Sequence, residues 1–299
     1  MEPRTKQLAC SMELEFGING NMTTQVGKEV PWVDAWVRWE RNNNDDGGAA
    51  DDCKDDTVEE DEELPPATES YTFTYPNPSS DSDIVLELKG FHEDSEQIWN
   101  STGLKLWRSS HYLCQYLVNE EAEVLGDENN TNLRVLEVGS GLGRCGLLAH
   151  SLSHDNATTV LTDGDTDTLK QLRHNVSKNT SAGDDTITCQ QLLWGEQHAK
   201  DYLSQQSDEK KHFDLILGSD LIYVQSVIRP LFETVRTLLC THENAKFLMA
   251  HCSRREGNEV ELSMVLDAAR EEGFEYDIMV EDDDISLFSF RRGGAEKET

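Results

Sequence analysis

The 299-residue sequence has few basic residues, few aromatic residues and no long apolar run. Lysine and arginine number 26 against 58 aspartate and glutamate residues, so the formal net charge is −32. A field of that sign repels a phosphate backbone, which disfavours nucleic acid as a partner and favours a basic protein. Because no stretch is apolar enough for a signal peptide or a membrane span, we expect a soluble protein, intracellular and either cytoplasmic or nuclear, with no membrane partner.

Clustered metal ligands are also lacking. The seven cysteines are scattered, without a Cys-x-x-Cys pair, which is typical of a reduced, intracellular setting. His150 and His154 have a spacing that suits a metal, but no third ligand accompanies them. The acidic run 281–284 is interpreted as a solvated turn. No metal site is therefore predicted.

The first seventy residues differ in composition from the rest of the chain. Residues 1–44 form an N-terminal extension with Trp32, Trp36 and Trp39 at helical spacing. This spacing predicts either a short element packed on the main domain or a docking patch for a substrate or chaperone complex. Residues 45–70 form an acidic linker that buries too little apolar surface to fold, so we expect it to be disordered. The main domain is then expected at residues 71–291, followed by a C-terminal tail at 292–299.

The most informative stretch is 135–146, which reads Val-Leu-Glu-Val-Gly-Ser-Gly-Leu-Gly-Arg-Cys-Gly. A short apolar strand is followed by three alternating glycines, Gly139, Gly141 and Gly143, and then by a helix-compatible segment. Glycine lets the backbone approach a ligand that a β-carbon would exclude. A dinucleotide-binding loop requires a glycine at position 144, where Arg144 stands. The spacing fits instead a cofactor without a pyrophosphate, such as S-adenosylmethionine, whose amino-acid end lies over the glycine turn.

Two further strands follow in the order that a nucleotide-binding sheet requires. The strand 159–162 ends at Asp163, at the distance from the glycine turn expected of an acid that accepts hydrogen bonds from both ribose hydroxyls. The alternative is that Asp163 or Asp165 caps the helix that follows. The strand 187–193 ends at Trp194, which either packs on an adenine ring or belongs to the core.

A fourth strand begins at Phe213 and runs into Ser219-Asp220-Leu221-Ile222-Tyr223. With this motif the chain resembles the seven-strand S-adenosylmethionine-dependent methyltransferases, in particular their family 16 protein-lysine methyltransferase group. The resemblance spans residues 71 to 291. The glycine motif alone occurs in many methyltransferases, whereas its combination with the other matching motifs is more specific. Those motifs are Thr102-Gly103-Leu104-Lys105-Leu106-Trp107, Leu136-Glu137-Val138-Gly139-Ser140-Gly141-Leu142-Gly143, Leu161-Thr162-Asp163, Leu193-Trp194-Gly195 and Ser219-Asp220-Leu221-Ile222-Tyr223.

The resemblance implies a role for each matching residue. Asp220 and Tyr223 match the tetrad that shapes the acceptor pocket and are the candidate catalytic residues. From the residues alone, the alternative is that Asp220 caps a helix and Tyr223 belongs to the core. Glu137 and Gly143 are added to the donor site because they are part of the glycine motif. The residues that match the site of the donor, S-adenosylmethionine, are Trp107, Gly139, Ser140, Gly141, Asp163, Trp194 and Ser219.

The order of the elements predicts an α/β fold. Strands alternate with helices, which indicates a mostly parallel, doubly wound sheet. The resemblance implies the Rossmann-like, seven-strand form of this sheet, with an antiparallel closing strand. The closing strand pair is predicted at 276–280 and 285–290. A hairpin at 71–75 and 84–88 is predicted to lead to a helix at Trp107.

The function expected from these observations is the methylation of a lysine side chain on a protein substrate, with S-adenosylmethionine as the cofactor. One alternative is a methyltransferase of the same fold that acts on a small molecule, another protein group or RNA. A second alternative is a noncatalytic binding module that has kept the fold.

Overall fold

The computed structural model describes residues 67–91, 101–126, 132–153, 157–206, 212–253, 260–282 and 284–293. The N-terminal extension, its three tryptophans and the acidic linker up to residue 66 lie outside these ranges, as does His154. The first strand begins at Glu69, so the last two residues of the expected linker, Glu69 and Ser70, belong to that strand.

The described residues form nine strands, seven of which make one sheet. The strands are β1 (Glu69–Tyr75), β2 (Ile84–Gly90), β3 (Arg134–Glu137), β4 (Thr158–Asp163), β5 (Ile187–Gln191), β6 (Leu215–Ser219), β7 (Lys246–Cys252), β8 (Phe274–Asp282) and β9 (Ile285–Arg292). The spatial order of the large sheet is β5-β4-β3-β6-β7-β9-β8. Strands β3 to β7 pair in parallel, whereas β9 runs antiparallel to β7 and β8. The predicted mostly parallel sheet with its antiparallel closing strand is confirmed.

The strand order reverses direction next to β3. The chain passes from β3 to β4 and β5 on one side and then returns to place β6 on the other side of β3. Beyond the paired strands, the backbone N–H of Val138 still donates to the carbonyl of Leu217 at 3.0 Å. In open α/β sheets, ligands bind beyond the carboxyl ends of the strands at such a switch point. The fold therefore directs attention to the loops that follow β3 and β6.

Helices cover both faces of the sheet. They are α1 (Ser109–Asn119), α2 (Glu121–Leu125), α3 (Arg144–Leu152), α4 (Thr166–Asn179), α5 (Glu196–Ser204), α6 (Ile228–Leu238) and α7 (Leu262–Glu271), with 3₁₀ turns at Thr102–Leu104 and Gln225–Val227. Val135 of β3 packs into the core with α1 to α4, while its neighbour Leu136 packs into the core with α5 to α7. This burial on both faces explains the consecutive apolar residues Val135-Leu136, Val160-Leu161 and Leu215-Ile216-Leu217 of the central strands. No helix among the described residues has the length and apolar character needed to cross a bilayer.

The hairpin of β1 and β2 is docked on α4 by two asparagines. Asn175 accepts from the Lys89 N–H at 2.9 Å and donates to the carbonyls of Lys89 and Leu142, each at 3.0 Å. One turn later, Asn179 accepts from and donates to the backbone of Glu87, both at 2.8 Å. The side-chain amides thus pair with the edge of β2 as a neighbouring strand would, and Asn175 also holds the loop after β3. The predicted hairpin is confirmed.

Several element boundaries differ from those expected, among them the start of β6, the end of β5 and the start of α1. Strand β6 begins at Leu215 because Phe213 forms only an isolated bridge with Leu239. Strand β5 ends at Gln191, and the helix expected at Trp107 begins at Ser109. Leu192 and Leu193 follow Gln191, so hydrophobicity alone does not locate the end of β5.

Candidate functional site

A cavity of about 830 Å³ lies at the switch point of the sheet. The loops after β3, β4, β5 and β6 contribute to its wall, together with the segment that precedes α1. Every residue predicted for the site except Gly143 lines this cavity. These lining residues are Trp107, Glu137, Gly139, Ser140, Gly141, Asp163, Trp194, Ser219, Asp220 and Tyr223.

The glycine loop, residues 138–143, is held by contacts with both neighbouring segments. The Ser140 N–H donates to the carbonyl of Thr162 at 2.8 Å, and the Ser140 hydroxyl accepts from the Thr162 N–H at 3.0 Å. Gly141 has a φ of +53°, and a β-carbon there would lie 2.9 Å from the carbonyl oxygen of Gly103. The 3₁₀ turn before Trp107 therefore packs so closely that only glycine fits.

Gly143 does not reach the cavity, in contrast to the prediction. It precedes α3 with a φ of +86°, and a β-carbon there would lie 2.6 Å from Leu172 of α4. Its role is to let the loop turn into the helix while α4 packs against it. The alternating glycines thus serve two purposes that the spacing could not separate.

Glu137 links the end of β3 to the start of α3. Its side chain is almost completely buried, with 2% of the residue exposed, and Oε2 accepts from the Gly146 N–H at 3.0 Å. Burial raises the pKa of this carboxyl to about 8, although the hydrogen bond from Gly146 opposes that shift. The carboxyl is therefore protonated at neutral pH unless a cation stabilises its charge.

Asp163 and Asp165, both considered as caps of the helix that follows β4, have different hydrogen-bond partners. Asp163 Oδ2 accepts from the Gly141 N–H and Oδ1 from the Asp165 N–H, both at 3.1 Å. Asp165 is the residue that caps α4, since its Oδ2 accepts from the Thr168 N–H at 3.0 Å. Burial raises the pKa of the Asp163 carboxyl to about 6. The carboxylate that lies beside the glycine loop is thus not the one that caps the helix.

Two tryptophans line the cavity. Trp107 donates from Nε1 to the carbonyl of Thr102 at 2.9 Å, which fixes the ring to the 3₁₀ turn. Trp194 follows β5 and is partly buried against the core formed with α5 to α7. Trp194 therefore belongs to the edge of the core and also contributes to the cavity wall.

Asp220 has an unusual backbone conformation at the end of β6. Its φ is +55°, the one positive value for a non-glycine residue among the described ranges. Such conformations cost about 1–3 kcal/mol and cluster at functional sites. Its N–H donates to the carbonyl of Ala250, at 2.9 Å, and its buried carboxylate accepts from the Ser109 N–H at 3.0 Å. Asp220, which follows β6, thus caps the first turn of the helix α1. Tyr223 lines the cavity and is only partly buried.

Several lining residues were missed in the sequence. They lie on segments whose approach depends on the folded chain, and they include Ser110, Arg144, Cys145, His198 and Pro230. Arg144 had a usable signal, because a charged residue there interrupts an otherwise apolar and glycine-rich run. The other residues carry no comparable mark.

Three side chains of types that bind metals lie near the amino end of β6, whereas the cavity lies at the carboxyl ends of the strands. Asp214, Cys240 and His242 have ligand atoms within 4.8 Å of one another. His242 Nε2 lies 2.8 Å from Asp214 Oδ1, and Asp214 Oδ2 accepts from the Arg134 N–H at 2.8 Å. Asp214 precedes β6, so this group lies far along the strands from the cavity and takes no part in the site.

Comparison with known proteins agrees with this geometry. The lysine methyltransferase family matches residues 91–268, more than half of the chain. Protein-lysine N-methyltransferase EFM3 of Saccharomyces cerevisiae is 24% identical over 172 residues, which are 54% of this chain and 48% of that protein. Protein N-lysine methyltransferase METTL21A of Xenopus tropicalis is 28% identical over 165 residues, which are 50% of this chain and 68% of that protein.

Coverage of these relatives is partial. The chain spans about half the length of the first relatives it matches, 48% of EFM3 and 49% of a UPF0665 family protein from Schizosaccharomyces pombe.

The solved glycopeptide N-methyltransferase MtfA, complexed with sinefungin, is similar with a TM-score of 0.42 at 13% identity, covering 62% of this chain and 94% of that chain. The family match takes in the glycine loop, Asp163, Asp220 and Tyr223 together with the strands that present them, and the chain therefore belongs to the lysine methyltransferase family.

Proposed function

We propose that this chain transfers a methyl group from S-adenosylmethionine to the side-chain amine of a lysine on a protein. The observation that carries the proposal is that one cavity joins the glycine loop and Asp163 to Asp220 and Tyr223. Its volume of about 830 Å³ lies within the range of cofactor and small-molecule sites. EFM3 and METTL21A, whose names record protein lysines as acceptors, support a protein substrate.

The residues around the glycine loop suit the methyl donor. Gly139, Ser140 and Gly141 line the cavity, and the Asp163 carboxylate beside them can accept from ribose hydroxyls. The Trp194 ring supplies a flat apolar surface for the adenine. Burial raises the pKa of the Glu137 carboxyl to about 8, and the positive charge of the donor would stabilise its ionised form. When bound, S-adenosylmethionine supplies an electrophilic methyl group on a positively charged sulfur.

The acceptor side must orient an amine and allow it to lose a proton. A lysine amine has an ordinary pKa of about 10.4 and attacks only when neutral. The Asp220 carboxylate orients the incoming ammonium, but by itself it raises the pKa of the amine. The apolar wall around it, which includes Leu106 and Leu221, opposes that effect by desolvation. The aromatic ring of Tyr223 supplies a face that holds the ammonium until its proton passes to water.

Positioning accounts for most of the rate enhancement in this proposal. Methyl transfer is an in-line displacement, so the nucleophile and the methyl group must be aligned. Ser219 and Asp220 are consecutive, the first assigned to the donor and the second to the acceptor, so the two sites meet at the end of β6. Two hydrogen bonds hold that junction in place: the Asp220 N–H donates to the Ala250 carbonyl, and the Asp220 carboxylate accepts from the Ser109 N–H.

The experiment separates donor binding from methyl transfer in the Asp220→Asn variant. Asparagine keeps the size and one acceptor for the Ser109 N–H but removes the charge. We expect donor affinity by calorimetry to stay near wild type, while transfer of labelled methyl groups to lysate proteins falls roughly 100-fold or more. Tyr223→Phe should lose less activity, because the ring remains. Asp277→Asn, an exposed acid on β8 paired with Arg291, serves as the control.

The product residue decides the acceptor class. Mass spectrometry of labelled proteins should find methyl groups on lysine side chains. Labels on histidine, on terminal amines or on RNA would instead support a methyltransferase of the same fold with another acceptor. Labels on small molecules of the lysate would support the same alternative, whereas donor binding without transfer to proteins, RNA or small molecules would support the noncatalytic module. Docking of a partner on residues 1–44 and a cytoplasmic or nuclear location stay predictions from the sequence.

A further inference from the structure

Arg144 is a buried arginine among the residues that line the cavity. It is the first residue of α3, directly after the glycine loop, and only 6% of it is exposed. Its Nε donates to the hydroxyl of Tyr75 at 2.8 Å, and Nη1 donates to the hydroxyl of Ser110 at 3.3 Å. Nη2 lies 3.4 Å from Nδ1 of His111, and the guanidinium carbon lies 3.8 Å from the centre of the Phe73 ring.

All of these partners are neutral. Burial, and then the charge of Arg144, lower the pKa of His111, so the imidazole stays uncharged at neutral pH. Burial raises the pKa of the Tyr75 hydroxyl, which stays protonated. Within the described part of the chain, no carboxylate forms an ion pair with Arg144 at 4.0 Å or less. A buried charge without a counterion is costly, so the site has a strong preference for an added anion.

We infer that Arg144 binds the carboxylate of the methionine portion of S-adenosylmethionine. This inference rests on the proposed donor, which has one carboxylate and otherwise carries positive charge. Arg144 and its partner Ser110 both line the cavity next to the glycine loop, where the amino-acid end of the donor is expected. A planar guanidinium can donate two parallel hydrogen bonds to a carboxylate, which an ammonium cannot do.

A purely structural role is the competing explanation. The contacts with Phe73 and Tyr75 join the hairpin to α3, so a loss of Arg144 could weaken the whole domain. The two roles differ in what they predict for ligands. A structural residue affects all donor analogues equally, whereas a carboxylate-binding residue affects only those that carry the carboxylate.

The experiment compares S-adenosylmethionine with its decarboxylated analogue by calorimetry. We expect the wild-type protein to bind S-adenosylmethionine roughly 10- to 150-fold more tightly, the range of a hydrogen-bonded charge pair. Arg144→Met should bring the two affinities close together, chiefly by weakening the binding of S-adenosylmethionine. Arg144→Lys keeps the cation but not the planar fork, so it should show an intermediate preference. Arg270→Met, an exposed arginine on α7 paired with Asp267, should keep the wild-type preference.

Each outcome bears on a separate claim. No preference for the carboxylate in the wild-type protein overturns the inference without any variant, and so does a wild-type preference in either folded Arg144 variant. Failure of the wild-type protein to bind either ligand contradicts the proposed function instead. Thermal unfolding of the ligand-free variants identifies those that fold.

Discussion

Asp163→Asn tests the assignment of the donor site most directly. Asparagine keeps one acceptor oxygen and replaces the other with an NH₂ group. In the wild-type protein both oxygens accept backbone N–H bonds, from Gly141 and Asp165, each at 3.1 Å. One of these N–H groups would then face a donor, and the ribose would lose a charged acceptor. Loss of a hydrogen bond to a charged group costs about 1.5–3 kcal/mol, so donor affinity should fall roughly 10- to 150-fold.

The pH dependence gives the same prediction a second readout. The fold raises the pKa of Asp163 to about 6, so the carboxylate required by the ribose takes up a proton as the pH falls through that value. Wild-type affinity should then approach that of the variant, and the gap between them should narrow from pH 7.5 to pH 5.5. Because asparagine does not titrate in this range, position 163 contributes no pH dependence to the donor affinity of the variant.

Calorimetry over this pH range measures both affinities, with thermal unfolding as a check on the ligand-free proteins. The sign for stability is opposite to that for binding. Because the folded pKa is raised, the stability that the protonated carboxyl contributes at low pH is lost as the pH rises through about 6. Asp167→Asn, on α4 and paired with Lys170 outside the cavity, is the matched control. A folded Asp163→Asn protein with wild-type affinity at pH 7.5, or a gap that does not narrow, would refute the reasoning.

Three other variants test the support around the site. Asn175→Leu removes the partner of three backbone groups, each of which costs about 1–3 kcal/mol when it is buried and unsatisfied. Urea unfolding should therefore show that the free energy of unfolding falls by more than roughly 2 kcal/mol. Asn179→Leu, at a more accessible position, should cause a smaller loss, and equal losses would contradict this prediction. Gly141→Ala should weaken donor binding at least roughly 10-fold by displacing the loop. Gly183→Ala, with a φ of +84° but no atom within 4 Å of an added β-carbon, should leave donor affinity unchanged; similar affinities for the two alanine variants would count against the close approach. The fold raises the pKa of Glu137 to about 8 and favours the protonated carboxyl, so the stability of the ligand-free wild-type protein should decline as the pH rises through that value. Glu137→Gln should abolish this decline. Parallel pH profiles of thermal unfolding for the two proteins would show that Glu137 is not its source.

Most of the site residues predicted from local sequence line the cavity. Buried parallel strands contain consecutive apolar residues, so β3, β4 and β6 stand out in the sequence, and glycine or aspartate stands at or just after their ends. The motif after each strand could therefore be read in order, from the glycine loop to Asp163 and then to Asp220 and Tyr223. Residues 139–142 of the loop, Asp163, Asp220 and Tyr223 line one cavity because the carboxyl ends of parallel strands meet at the same edge.

The tertiary structure decided how neighbouring residues of the same motif divide their roles. Asp163 and Asp165 are both plausible helix caps in the sequence, and only the fold shows that Asp165 caps α4 while Asp163 lies beside Gly141. Gly143 continues the glycine alternation but packs against α4 outside the cavity. Such distinctions depend on contacts with other elements, which local spacing does not record.

Arg144 and Asp220 show this limit most clearly. The partners of the Arg144 guanidinium lie more than thirty residues away in sequence, on the hairpin and on α1, and the Asp220 carboxylate binds the Ser109 N–H across 111 positions. Strand and turn patterns can be read from near neighbours in the chain, so the sequence by itself determined the strands, the glycine loop and the acids at the strand ends. Which side chains are buried without a counterion, and which backbone is held in a left-handed turn, was decided by long-range packing.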